Sequence, residues 1–210
     1  EIMKKILLII IIIFLTGCYN YTEINDLAFI SSIGIDYNKT NERFIVTYEI
    51  LNDNSTGEGK INKSYTISAE GKNITDAFNN TSLKVNNKPY FYHLKIIAID
   101  ETVAKKYTKD IVDYILRNPN VKNEFFLILI KNAKAKDILD KSDEVDPDIG
   151  NKIFKMIKSN EEQNNISIDQ NFEATTKFFT SKLSNALINT FTINDKDEII
   201  ELGLSAFKEY

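Results

Sequence analysis

Tryptophan is absent from this 210-residue chain, and cysteine and histidine occur once each, as Cys18 and His93. A single cysteine closes no internal disulfide, so no disulfide framework supports the fold. A single histidine removes His-based metal clusters, and any Ser-His-Asp arrangement would have to run through His93. A lone histidine at a strand start is more often a satisfied structural residue than a base. Basic charge is scarce too: 26 Lys and Arg against 30 Asp and Glu leave a formal net charge of −4. Phosphate backbones reward a basic surface, so nucleic acid is not an expected partner. Gly57 and Gly59 form a Gly-x-Gly with no helix start behind it, hence no phosphate cradle. Asp143, Glu144, Asp146 and Asp148 lack the central glycine and closing glutamate of a calcium loop, and read as a solvated acidic linker. No nucleophile, base and oxyanion donor come together, so neither catalysis nor a metal is expected.

What remains is ordinary for a globular chain, with 43% hydrophobic and 27% charged residues. Its one long apolar run, Ile6 to Leu15, follows Met3, Lys4 and Lys5. About 20 apolar residues are needed to span a bilayer, so this run has the length of a signal-peptide core instead. Leu15, Thr16, Gly17 and Cys18 come next, and this sequence resembles the bacterial lipobox. In a lipobox the cysteine thiolate accepts a diacylglyceryl group, the signal is removed, and the cysteine becomes residue one. Residues 1–17 are then a lipoprotein signal peptide, and Cys18 carries a covalent diacylglyceryl and acyl lipid (palmitate among them), the only attached group expected. Each buried methylene contributes about 0.8 kcal/mol, so two or three chains hold a protein stably on a bilayer. The competing reading is a buried cysteine in an ordinary apolar segment.

Residues 18–26 read as a polar tether. Apolar, β-branched stretches predict strands at 27–36, 43–51, 63–71, 93–100 and 124–130. Helices are predicted between them: one with Ile74, Phe78 and Leu83 on its apolar face, one over 101–118 ending at Asn118-Pro119, and one over 133–140. The fold class is mixed α+β, a largely antiparallel sheet with packed helices forming an N-terminal domain over 27–140. The polar stretch 141–148 reads as a linker. Residues 149–210, two helices and a strand, read as an incomplete second α/β domain. "PYFYH" (89–93) offers a contact surface, although aromatics entering a strand are more often core.

With these stretches in place, "LTGCYNYTEINDLAFISSIGID" resembles the opening of the spore germination C-subunit lipoproteins of sporulating Gram-positive bacteria. "YHLKIIAIDE" (92–101) is similar to the family's His-Leu-Lys strand, and "ILRNPNVKNEFFLILIKNAKAKDIL" (115–139) to its Leu-Arg-Asp-Pro segment, strand and helix. The resemblance implies a non-enzymatic subunit of a nutrient germinant receptor beside two integral-membrane subunits. It would be anchored on the outer face of the cytoplasmic membrane, in spores the inner membrane. It also singles out Tyr19, Glu23, Ile24 and His93 as candidate partner contacts. Tyr19 and Asn20 replace the family's Trp-Asp, Asn118 replaces its Asp, and relatives continue through a further domain. The alternative function is a lipid-anchored solute- or glycan-binding protein.

Overall fold

A computed structural model describes residues 2, 3, 5, 23–52, 64–143, 145–164, 166–180 and 186–207. The strands are β1 (Leu27–Asn38), β2 (Arg43–Ile50), β3 (Tyr65–Gly71), β4 (Lys88–Tyr90), β5 (Ile96–Asp100), β6 (Phe126–Ile130), β7 (Ala186–Ile193) and β8 (Ile199–Phe207). The helices are α1 (Ile74–Lys84), α2 (Glu101–Lys106), α3 (Thr108–Arg117), α4 (Ala135–Leu139), α5 (Ile149–Asn164) and α6 (Phe172–Thr180). One mixed sheet runs β3-β2-β1-β5-β6-β7-β8, with β4 beside β1. The mixed α+β class stands, and the sheet combines antiparallel with parallel pairs. Its centre, β1-β5-β6-β7, is parallel, and only the flanking pairs β1–β2, β2–β3 and β7–β8 are antiparallel.

The physical reason lies in "IIAID" and "FLILI", whose five residues each are all buried. A strand covered on both faces reads as a continuous apolar run, the mark of a parallel sheet under helices. Alternate residues go to opposite layers. Ile97, Ile99, Leu127 and Leu129 meet Phe78, Ile111 and Ile115 of α1 and α3. Ile96, Ala98, Phe126 and Ile128 meet Ile138 of α4 and Ile149, Ile153 and Ile157 of α5.

The boundary expected at 141–148 is not a break in the sheet. β7 pairs with β6 in parallel, so residues after 148 extend the same sheet. The stretch is also fastened rather than free: Ser64 N, just before β3, donates to Pro147 O at 2.7 Å, and Thr66 Oγ1 of β3 donates to Asp140 Oδ1, just before the stretch, at 2.5 Å. Polar composition suggested a solvated linker because the partners of these groups lie about 80 residues earlier. Nor is β8 unpaired, since it forms an antiparallel hairpin with β7. Gly203 at the bulge of that hairpin has φ +97°, a conformation that costs glycine least.

Local chemistry sets the other limits. Asn73 caps α1 by accepting from Asp76 N at 2.8 Å, an interaction worth about 1 kcal/mol. Leu83, expected on the apolar face, is 83% exposed, while Ala77 and Thr81 complete the buried stripe with Ile74 and Phe78. The helix expected over 101–118 is two, interrupted at Tyr107 (φ −130°, ψ 9°). Strand β7 has no counterpart in the two helices and one strand expected after residue 148.

Candidate functional site

Polar groups enter the interior on one face of β1. A bulge between Ile30 and Ser32 leaves Ser31 without a counterpart on β2, and directs two serines at the start of α5. Ser32 Oγ donates to Glu49, and Ser31 Oγ to Asp148 Oδ1 at 2.5 Å. Glu49, fully buried on β2, also accepts from Ser64 Oγ (2.6 Å), Ile149 N (2.7 Å) and Gly150 N (3.0 Å). Its carboxylate thus caps the positive end of a 16-residue helix. Burial pushes its pKa up, opposed by these donors. A Cβ on Gly150 would lie 2.3 Å from Ser32 Oγ and 2.9 Å from Ser31 O, so only glycine permits this approach.

Two strand turns further, Asp36 accepts from Ala135 N (2.8 Å) and Lys136 N (3.0 Å) at the start of α4. Burial is the main reason its pKa is pushed up to about 6; the neighbouring Asp100 adds to the rise, and the two amides and Lys134 oppose it. Asp100 accepts from Val103 N (2.8 Å) and Tyr37 N (3.1 Å) and pairs with Lys134. These residues come from "IGID", "AIDE" and "KNAKAKDIL", whose contacting residues are 34 to 100 positions apart and meet through carboxylates. The arrangement fastens helices to strands. Each carboxylate's acceptor sites are used, which suits positioning rather than proton transfer, and among the described residues no group of three His, Cys, Asp or Glu could hold a metal.

Two surface recesses flank this framework. One of about 410 Å³ opens beyond the C-terminal ends of β5 and β6, lined by Asp100, Thr102, Asn132 and Lys134. That is where open parallel sheets place ligands, although Asp100 and Lys134 already hold each other. The other, about 570 Å³, lies between the start of α1 and α3, and its wall includes Arg117, Asn118 and Pro119. There Arg117 is paired with Asp113 at 2.8 Å.

The sequence-derived contact residues fall at the opposite end of β1. Glu23 and Ile24 lead into β1 through a short 3-10 turn (Ile24–Asp26), with Ile24 66% exposed. His93 lies in an exposed turn before β5, not in the strand, and its ring meets Phe29 of β1 at 5.5 Å. The structure therefore brings positions 23, 24 and 93 to one end of the sheet. Leu15, Thr16, Gly17, Cys18 and Tyr19 lie outside the described residues. The "PYFYH" stretch (89–93), offered by the sequence as a contact surface, lies beside His93 with only some of its rings turned outward. Tyr90 and Tyr92 stack at 4.9 Å, Tyr90 meets Phe29 edge-on at 5.5 Å, and Lys122 Nζ sits 4.7 Å over Tyr92. Phe91 between them turns inward onto Tyr48. The alternation out-in-out along Tyr90, Phe91 and Tyr92 was the available signal.

The family described as "Spore germination protein N-terminal domain" matches residues 20–193. Spore germination protein KC of Bacillus subtilis is 30% identical over 170 residues, covering 77% of this chain and 41% of that protein. The putative spore germination protein YfkR of the same organism is 33% identical over 144 residues (66% of this chain, 37% of the relative). GerQC of Bacillus cereus is 24% identical over 212 residues, 98% of this chain and 56% of the relative. The chain thus spans roughly two-fifths to a little over half of these relatives' lengths. No solved structure matches it significantly. The match begins within the first of the segments that suggested the resemblance and runs through 92–101 and 115–139, and the chain belongs to the family of spore germination proteins defined by this N-terminal domain.

Proposed function

We propose that the protein is a non-enzymatic, lipid-anchored subunit of a nutrient germinant receptor, working beside two integral-membrane subunits. Cys18 carries the lipid and holds the domain on the outer face of the cytoplasmic membrane, which in spores is the inner membrane. The observation that carries this reading is adjacency: the family match begins at residue 20, two positions after the Leu-Thr-Gly-Cys motif. Among the described residues no helix is long and apolar enough to cross a membrane. Replacing Cys18→Ala is expected to move the protein from the membrane to the soluble fraction; unchanged membrane retention would refute the anchor. Co-purification of two membrane subunits with the tagged protein from spores tests the receptor assignment, and abundance confined to vegetative cells would sink it. The recess beyond β5 and β6 favours a second reading, a lipid-anchored binder of a small solute or glycan. Saturable binding of such a ligand by the protein without its membrane partners would select it.

A further inference from the structure

The aromatic surface beside His93 has a definite position relative to the chain's N-terminal side. β4 runs parallel to the first three residues of β1, with Leu27 opposite Lys88 and Phe29 opposite Tyr90. Asn87 Nδ2 donates to Asn25 O at 2.8 Å, tying β4 to the turn that precedes β1. Tyr90 and Tyr92 therefore sit where the polypeptide arrives from Cys18. Glu23 lies five positions after Cys18, and an extended chain of five steps covers no more than about 18 Å. A domain held by Cys18 keeps this end within that distance of the bilayer.

The composition of the end fits the boundary between headgroups and acyl chains. Tyr92 is 49% exposed and stacked on Tyr90, and Ile24 is 66% exposed. Tyrosines with an apolar ring and a polar tip concentrate at membrane–water interfaces. Lys122 lies over the Tyr92 ring, and Lys88 is exposed on β4; both have stems long enough to reach headgroup phosphates. Glu23 and Asp26 balance these two lysines, so attraction to anionic lipid is not the driving force. Burial of rings is.

We infer that the edge formed by Ile24, Tyr90, Tyr92 and His93, flanked by Lys88 and Lys122, docks on the phospholipid surface, setting the domain upright with the start of β1 toward the membrane. This rests on the anchor at Cys18. Upright docking presents the far end, with Asp36, Asp100 and the 410 Å³ recess, away from the bilayer.

The absence of tryptophan supplies the test. Full chains carrying Tyr92→Trp, or Lys39→Trp in the β1–β2 turn at the opposite end, are produced in a Gram-positive host. They are then reconstituted in phosphatidylcholine vesicles brominated high in the acyl chain. The Tyr92→Trp chain should lose emission and shift to the blue, with little change on raising salt, while the Lys39→Trp chain keeps its emission. A vesicle-bound chain with emission retained at both positions overturns lipid docking and leaves the edge to a protein partner. Equal quenching at both overturns the orientation. Failure to bind vesicles at all overturns docking and anchor together. The mass of the Cys18 peptide separates the two ideas: an unlipidated Cys18 with quenching at position 92 removes the anchor and leaves docking standing.

Discussion

On one face of β1, Ile33 and Ile35 are fully buried against an apolar layer that includes Val46, Tyr48 and Phe78. On its other face, Ser32 and Asp36 are as deeply buried, yet they meet Glu49, the start of α4 and, through Gly150, the start of α5. The same strand is held by non-directional burial on one side and by aimed hydrogen bonds on the other. The apolar face tolerates imprecision in proportion to volume. The polar face does not, because each carboxylate satisfies amides that have no other acceptor at a helix start. This difference explains how α4 and α5 find one position on the sheet, although α4 is only five residues long.

The sharpest way to break the comparison is Glu49→Ala. It leaves two serine hydroxyls and the amides of Ile149 and Gly150 without their acceptor, and should cost about 4 kcal/mol in urea unfolding. A cost below about 1 kcal/mol would mean that the polar face is not what holds α5. Ile35→Ala on the apolar face should cost somewhat less, about 3 kcal/mol, and by the same amount at every pH, since no charge is involved.

The smallest effect concerns pH. The pKa of Asp36 is about 6 in the folded protein against 3.8 for the free side chain, so the native state binds the proton more tightly. Stability contributed by the protonated form is complete below about pH 4 and is lost as pH rises through about 6. Glu49, also raised, adds a slope of the same sign. Asp36→Asn should therefore flatten, without abolishing, the fall in unfolding midpoint between pH 4 and 6. An unaltered slope would assign the whole dependence to Glu49.

Legibility followed the range of the interaction. The strands "RFIVTYEI" and "FLILI" and the end of α3 before Asn118-Pro119 were readable because local pattern decides them. The parallel centre was readable in principle, since "IIAID" and "FLILI" show no polar alternation, but the expectation of a largely antiparallel sheet gave these two strands no pairing. Strand β7 was missed because "ALINTFTI" follows a helical pattern directly, with no glycine or proline to mark the change. At the candidate surface, Glu23, Ile24 and His93 were found through resemblance and "PYFYH" through its aromatic run, whereas the stacking of Tyr90 on Tyr92 and the lysine over it were not legible. Lys122 is 30 residues from Tyr92, and only folding joins them.

By itself the sequence determined the address written in Leu15 to Cys18 as an expectation, the family, the α+β class and most element positions, because apolar periodicity and capping act over a few residues. Only the tertiary structure decided that residues after 148 belong to the same sheet, that the buried aspartates and Glu49 are spent on helix starts, and that an aromatic edge lies beside the first residues of β1. These depend on pairs of residues up to about a hundred positions apart, such as Glu49 with Gly150 and Asp36 with Ala135, and no local pattern encodes which distant partner a buried carboxylate will meet.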